Sequence, residues 1–441
     1  MTDSAPFRAF TSTLPLEWPG ILGLNEYTGW QDEQLSWKDS CYIGDWTFVP
    51  QIRFKGPDAF KLFVDLSVNS FEIFPIGKAK HCIMCNDGGK VISEGILIRW
   101  AEDDFEYSCG TPAWPLYKAK TGGYDVEISF PVSYKLQVQG PRSLELLEEL
   151  TQTSLRDIGF MSTKPAKING YEVSFLRQGM SGDIGFELHG DVEDHDAIYQ
   201  AVFDAGQEFG IRRLGRRTVQ INHLEASYPT GGIHFMNALA DQSKADYRDW
   251  IDKNLPSQWE GTPLGGPWRY SISTSFTGSW DGNQIEELYR SPVEMGWARN
   301  IKFDHDFVGR AALEEELANP LRTLVTLEFN SEDMIDVYAS LFREGPAYHF
   351  FDMPHTPWVT LWTDKILVDG SEVGHATYPG YSFYFRRVLA LSFIDVAYSE
   401  PGTEVSVLWG NPSEPQKLIR ATVAPAPYKK DDRRRDLAAS I

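Results

Sequence analysis

Hydrophobic and polar positions along the chain follow two alternating periods. VPQIRFKG (49–56) and SYKLQVQG (133–140) place apolar and polar residues in turn, the pattern of a half-buried strand. Each runs through a Gly-Pro corner into FKGPDAFKLFVDL (54–66) or VQGPRSLELLEEL (138–150), where apolar residues recur at helical spacing. The shared plan predicts a duplicated α+β module that uses one strand-to-helix corner twice. Between the copies, GGKVISEGILIRW (88–100) and DDFEYSCG (103–110) read as short strands with turns. DHDAIYQAVFDAGQEFG (194–210) reads as a helix, and an amphipathic piece falls near 240–252 within an irregular stretch rich in Gly, Pro and Trp. From about residue 320, RTLVTLEF, KILVDGSEVGHATY, VLALSFID and TEVSVLWG predict antiparallel strands in a separate β-domain. The charge-dense tail KKDDRRRDLAASI (429–441) reads as solvated or frayed.

One stretch breaks both periods. RQGMSGDIGFELHG (177–190) spaces Gly179, Gly182 and Gly185 three apart, then starts a strand in which Glu187 points opposite to Phe186 and Leu188. The loop leads into a strand rather than a helix, so no helix N-terminus awaits a pyrophosphate. The phosphate-binding, zinc-protease and serine-hydrolase signatures are missing. Cys82 and Cys85 form a C-x-x-C beside His81, but the run reads as a strand ending in a turn, which fits structural cysteines. The nine histidines form no spaced cluster. Among carboxylates, Glu187, Glu225 in HLEAS and Glu94 after a GG turn stand out, although a strand carboxylate taken alone ordinarily faces solvent.

Totals narrow the class. A chain of 441 residues, 42% hydrophobic and 23% charged, has material for two to four packed domains. It has no apolar run of membrane-spanning length, and MTDSAPFRAF lacks the features of an export signal. Four cysteines make no disulfide framework, so a reducing cytoplasm is the expected setting. A formal charge of −21 argues against nucleic acid as a partner, because that binding is driven by cations.

FKGPDAFKLF, LQVQGPRSLELL, GMSGDIGFELHG, HLEAS, EMGWARNIKFDHDFVGRAAL and GYSFYFRRVLALSFID occur in this order from about residue 40 to 430. The chain thereby resembles the glycine-cleavage T-protein (aminomethyltransferase) family. Trp30 and Trp37 in a W-x(6)-W pair, KAK (78–80), TGGYDV (121–126), KFDHDFVGR (302–310) and DMIDVYASLF (333–342) are similar to its tetrahydrofolate-dependent aryl O-demethylase branch, the vanillate and syringate demethylase type. The resemblance implies an α+β, three-domain cloverleaf. Two related α+β lobes, an approximate and potentially discontinuous 1–132 and 133–320, and a C-terminal antiparallel β-barrel, 321–441, would surround a central folate channel. It implies tetrahydrofolate as one-carbon acceptor and a small aromatic ether as substrate. Glu187 of the GFE strand would pair with the pterin edge, since an ionised carboxylate accepts two N–H bonds in one plane. Glu225 and Tyr228 would lie near the same ring, with Arg177 and Gly182 from the glycine loop. The glycines would let the backbone approach the flat ring.

The departures from the family pattern carry information. T-protein's acidic pair after the GG turn is reduced to Glu94, and its tyrosine-threonine in the glycine loop becomes Met180 and Ser181. The arginine that methoxybenzoate demethylases place after the FEYSCG strand is absent, its position falling at or near Gly110, and Val49 stands where a histidine would follow DWTFVP's DxT. A neutral substrate is therefore expected, methylenedioxyphenyl compounds included, because an unpaired carboxylate is costly to desolvate. Tyr228, His234, His223 and Glu94 are the candidate catalytic groups, with no metal. A folate-binding regulatory or assembly protein without turnover, or an aminomethyltransferase-like enzyme, are the competing readings.

Overall fold

The computed structural model describes residues 23–109, 112–240, 244–254, 276–282, 284–356 and 361–438. Gly110, where the missing arginine was expected, lies outside the described residues.

In order, the elements are α1 (Trp30–Asp39), β1 (Tyr42–Asp45), β2 (Gln51–Lys55), α2 (Ala59–Leu66), β3 (Ala79–Cys85), β4 (Val91–Ala101), β5 (Asp104–Ser108), α3 (Ala113–Thr121) and β6 (Glu127–Ser129). Then follow β7 (Ser133–Gln139), α4 (Ser143–Thr151), β8 (Thr163–Ile168), β9 (Tyr171–Arg177), β10 (Gly185–Asp191), α5 (His195–Ala205), β11 (Arg212–Arg213), α6 (Arg216–Ala226) and α7 (Ala245–Asn254). The last third holds β12 (Phe276–Thr277), α8 (Arg310–Ala318), β13 (Arg322–Phe329), α9 (Ser331–Ser340), β14 (Leu361–Val368), β15 (Ser371–Ser382), β16 (Arg387–Asp395), β17 (Glu404–Trp409) and β18 (Lys417–Ala424).

These strands form three sheets. The first lobe's runs β3-β4-β5-β2-β6 and the second lobe's runs β11-β1-β7-β10-β9-β8. The third closes on itself as β14-β15-β16-β13-β18-β17, with β17 pairing back to β14 and β12 added alongside β14. It is a six-stranded antiparallel barrel around Val325, Leu327, Trp362, Trp409 and Ile419. Both predicted corners are present. Gly56 and Gly140 stand at φ 141° and 128°, and a Cβ at either would meet backbone at 2.7 Å (Asp125 O) or 2.5 Å (Ser40 O), so a side chain fits at neither.

The lobes interleave more than the expected boundaries allow. β1 pairs with β7, so α1 and β1 serve the second lobe although they fall within 1–132. Conversely, Met236, Tyr247, Ile251 and Leu288 are buried in the first lobe's core, although they fall within 133–320. Pairing partners far apart in sequence decide membership, and no local pattern reports them. The family-like KFDHDFVGR is a clamp on the first lobe: Lys302 N–H donates to Val68 O at 2.9 Å, and His305 Nε2 lies 2.9 Å from Ser67 O.

The tail is not frayed. Leu437 is wholly buried in the second lobe's core, and Arg433 is buried as well. Asp432 N–H donates to Gly182 O at 3.0 Å, and Arg433 Nη1 donates to Gly179 O at 3.2 Å. Charge density suggested solvation, but Lys429 pairs with Asp183, Lys430 with Asp432 and Arg433 with Asp431, and one leucine anchors the strap. Among the described residues no helix is long and apolar enough to cross a membrane.

Leu437→Ala should lower stability by about 2–5 kcal/mol, the cost of emptying a packed leucine site. Chemical denaturation measures it; an unchanged midpoint would mean the tail is not docked in solution.

Candidate functional site

The second lobe's sheet has two unlike faces. One carries Ile43, Leu136, Val138, Phe175, Phe186 and Leu188 into the apolar core. Strand alternation puts Lys135, Gln137 and Gln139 of β7 on the other face, with Glu187 opposite Gln137 and His189 opposite Lys135 on β10. All five are buried, none above 6% exposure, so this polar face meets protein rather than water. It meets the first lobe, through a small apolar contact of Ala79, Ile98 and Leu176 flanked by Ile96, Trp100 and Met161. Polar links flank that contact: Gln51 Nε2 donates to Ser133 O at 3.2 Å, and Lys135 Nζ to Ser108 Oγ at 2.6 Å.

Glu187 is central to this wall. Gln178 Nε2 and Gln137 Nε2 donate to its Oε2 at 2.8 and 3.1 Å, and His189 Nε2 lies 2.8 Å from its Oε1. Burial opposes its charge, but His189, Lys135 and Gln137 outweigh burial and hold the carboxyl below its ordinary value. A carboxylate has about four acceptor positions, so three contacts leave one for a ligand. Gln51 Oε1 and Glu106 Oε1 of the first lobe, Gln220 Oε1 and Asn222 Oδ1 of α6, and the Nε2 atoms of His223 and His234 are buried without a partner among the described residues. Such atoms are costly in an apolar interior and ordinary beside a polar ligand. An ionised carboxylate with unpartnered amide oxygens fits a pterin, whose edge offers N–H donors.

The glycine loop has a different cause from the one expected. Gln139 Oε1 accepts from the backbone N–H of Met180 and Ser181 at 2.8 and 3.2 Å, so the loop wraps a buried glutamine. A Cβ on Gly185 would stand 2.4 Å from Gln139 Cγ, and one on Gly179 2.9 Å from Asp183 O. Crowding inside the protein thus requires both glycines. Gly182, at φ 72°, gives its carbonyl to Asp432 N and Lys429 Nζ, both at 3.0 Å, and so belongs to the tail strap rather than to a ring site.

Two further candidates have other tasks. Arg177 Nη1 donates to Ile158 O at 2.8 Å, and Nη2 to the carbonyls of Arg433 and Arg435, which ties the strap down. Glu225 accepts from Trp37 Nε1 at 2.8 Å, from Ser382 Oγ at 2.6 Å and from Lys38 Nζ, and is fully buried. These contacts join α1, α6 and the barrel. With donors from α1 and the barrel on both oxygens, Glu225 acts as a structural tie between them.

Tyr228 does reach the loop: its hydroxyl donates to Gly179 O at 3.2 Å, under the Arg433 guanidinium 4.7 Å from the ring. His223 and His234 share Thr230, whose hydroxyl lies 3.3 Å from His223 Nδ1 and whose N–H donates to His234 Nδ1 at 3.0 Å. Burial pushes them down to about 4 and about 3, so both are neutral at pH 7. Glu94 stands apart on β4, where His81 Nε2 lies 2.8 Å from its Oε2 and Trp297 packs edge-on against the His81 ring. Cys82 and Cys85 diverge into separate apolar cores, and burial pushes Cys82 up to about 12 and Cys85 higher still.

Lys135 is the residue that the sequence reading missed. Its Nζ donates to Val49 O, at the place where a family histidine is lacking, and to Ser108 Oγ of the first lobe. The cation arrives from a neighbouring strand, which a search within 108–114 could not see.

An interleaved pair of mixed lobes, a closed barrel and a buried carboxylate on the inter-lobe wall define a T-protein-like fold with a buried polar wall. Residues 14–240 match the GCVT N-terminal domain, and residues 351–429 match the glycine cleavage T-protein C-terminal barrel domain. The chain belongs to the glycine-cleavage T-protein family. It is 33% identical to sesamin methylene transferase of Sinomonas sp., over 91% of this chain and 89% of that protein. It is 32% identical to syringate O-demethylase of Sphingobium sp., over 97% and 94%. The crystal structure of aminomethyltransferase T of Bartonella henselae superposes with a TM-score of 0.65 over 93% of this chain and 92% of that one, at 16% identity.

Two predictions separate structural from functional groups here. Glu225→Gln leaves Lys38 buried without its counter-charge and should cost about 3–5 kcal/mol of stability by denaturation, while calorimetric folate affinity below the unfolding range stays unchanged. Replacing Cys82 and Cys85 with Ala and Ser should leave turnover intact; loss of activity with the fold retained would give the pair a chemical role.

Proposed function

We propose that the protein is a tetrahydrofolate-dependent one-carbon transferase acting on aromatic ethers of the lignin or lignan type. It removes a methyl or methylene group and leaves a phenol or catechol with methyl- or methylene-tetrahydrofolate. The observation that carries this reading is the buried, ionised Glu187, held by Gln137, Gln178 and His189 on the wall between the lobes. Relatives named for methylene transfer from sesamin and for demethylation of syringate support both the ether class and the folate requirement. Buried thiols without disulfides suit a cytoplasmic setting.

Tetrahydrofolate, when bound, supplies the nucleophilic nitrogen that takes up the carbon. The chain's own part is orientation and exclusion of water. Glu187 presents an acceptor fixed by three neighbours, so little reorganisation is needed on binding. Gln139 fixes the glycine loop, and the strap closes over it through Lys429, Asp432 and Arg433. Ile96, Ile98, Trp100 and Leu176 give an apolar surface for a flat aromatic beside the polar wall. Holding donor and acceptor in line can itself supply ~7–11 kcal/mol of barrier reduction.

The direct test is incubation with tetrahydrofolate and a panel of methoxy- and methylenedioxy-aromatics, with detection of methyl- or methylene-folate. Folate binding without turnover across the panel would favour a non-catalytic folate-binding protein. Glu187→Gln keeps the shape and loses the charge, so folate affinity should weaken by about 1.5–3 kcal/mol. Wild-type affinity by calorimetry would sink the assignment.

A further inference from the structure

The reaction needs a group that meets the charge developing on the departing aryl oxygen. The candidates read from sequence are poorly placed for it. His223 of α6 and His234, which packs edge-on against Tyr378 of the barrel, are neutral imidazoles, and the Tyr228 hydroxyl is committed to Gly179 O. Of the other cations near the glycine loop, Lys38 pairs with Glu225, Lys429 with Asp183 and Arg433 with Asp431, while Arg177 spends its guanidinium on the carbonyls of Ile158, Arg433 and Arg435.

Lys135 differs from these. It is 1% exposed, and among the described residues no carboxylate stands within ion-pair distance of its Nζ. The DWTFV turn grips it from three sides: Thr47 Oγ1 accepts its backbone N–H at 3.1 Å, its carbonyl accepts from Trp46 N–H at 2.8 Å, and Val49 O accepts from Nζ. An ammonium has three N–H bonds, and Val49 O with Ser108 Oγ uses two. Lys135 sits two residues along β7 from Gln137, the partner of Glu187, a displacement of roughly 7 Å. That is the scale of a fused bicyclic ring, so a pterin paired at Glu187 and an aryl ether beside it would span this stretch of wall.

Resting on the one-carbon transfer proposed above, we infer that Lys135 is the general acid of the reaction, giving its third N–H to the aryl oxygen that leaves. As the carbon becomes bonded to the acceptor nitrogen, the carbon–oxygen bond breaks and its electron pair passes to the aryl oxygen. That oxygen takes a proton from the Lys135 ammonium, and the proton released from the acceptor nitrogen restores the lysine. A methylenedioxy substrate needs the same service twice, once for each oxygen. Burial pulls Lys135 below an exposed lysine, against the support of Glu187 and Glu106, and so towards a range where transfer to a phenolate is easy.

The test is Lys135→Met, which keeps length and loses charge. Turnover should fall roughly 10²–10⁴-fold, well beyond any loss of folate affinity that calorimetry records from the weakened support of Glu187, and the loss should shrink for ethers bearing electron-withdrawing groups, whose phenolates leave unaided. A second readout needs neither folate nor turnover: 4-nitrophenol bound to the folate-free protein should ionise at lower pH than in water, and in the variant it should not. A uniform loss across leaving groups, or the same titration in both proteins, would overturn the inference. So would a rise in KM confined to benzoates and abolished in their methyl esters, which would make Lys135 a carboxylate anchor. If Lys135→Met does not fold, Ser108→Ala removes one hold on the ammonium and should show the same leaving-group dependence in weaker form; its absence there would overturn the inference equally. Failure of the wild type to turn over any ether would sink the proposed function, while the nitrophenol titration still reports on Lys135 alone.

Discussion

The carboxylate of Glu225 is the constraint on which the arrangement of lobes and barrel depends. It sits at the end of α6 with no exposure and collects donors from α1, through Trp37 and Lys38, and from the barrel, through Ser382. Its own backbone carbonyl accepts from Lys429 N–H at 2.8 Å, where the tail strap begins. Gln34 adds a seam beside it, donating to Tyr381 O and accepting from Phe383 N–H. A buried ion pair is a weak source of net stability but an unforgiving one to break. Such a contact specifies one docking of the barrel against the lobes, and with it the position of the glycine loop.

From that tie the polar wall follows. α6 is pinned against α1, α1 leads straight into β1, and β1 pairs with β7, the strand that carries Lys135, Gln137 and Gln139. The strap that leaves Glu225's carbonyl crosses Gly182 and Gly179 and ends with Leu437 in the second lobe's core. The residues around Glu187 are thus held by contacts that begin on three different parts of the chain. This is the ordinary requirement for a preorganised site, whose side chains must be fixed before a ligand arrives.

Much of the fold was legible because its signals are local. The two Gly-Pro corners, the barrel strands and the helix of 195–205 all announce themselves by period and turn chemistry. Glu187 was legible as an odd carboxylate after a glycine loop, but its wall was not. In SYKLQVQ and GFELH the polar residues alternate with apolar ones as they would on a solvated strand, and only the packing of a second sheet turns that face inward. The same limit explains Glu225, Arg177 and Gly182, whose partners lie 157 to 256 residues away in Trp37, Ser382, Lys429 and Arg433. Charge density misled at the tail, because the signs of its neighbours matter more than their number.

The duplication gives the wall its asymmetry. Both lobes turn the second face of their sheets toward the interface, and both begin from the same strand-to-helix corner. Their inner residues have diverged. The first lobe contributes Ile96, Ile98 and Trp100 together with Gln51, Glu106 and Ser108, while the second contributes Lys135, Gln137, Gln139, Glu187 and His189. An interface between two copies of one module would otherwise be lined alike on both sides. Here the first lobe's face mixes apolar and polar groups, and the second lobe's is polar along β7 and β10. The cation that serves both walls, Lys135, stands where they meet, rooted in one lobe and bonded to Ser108 of the other.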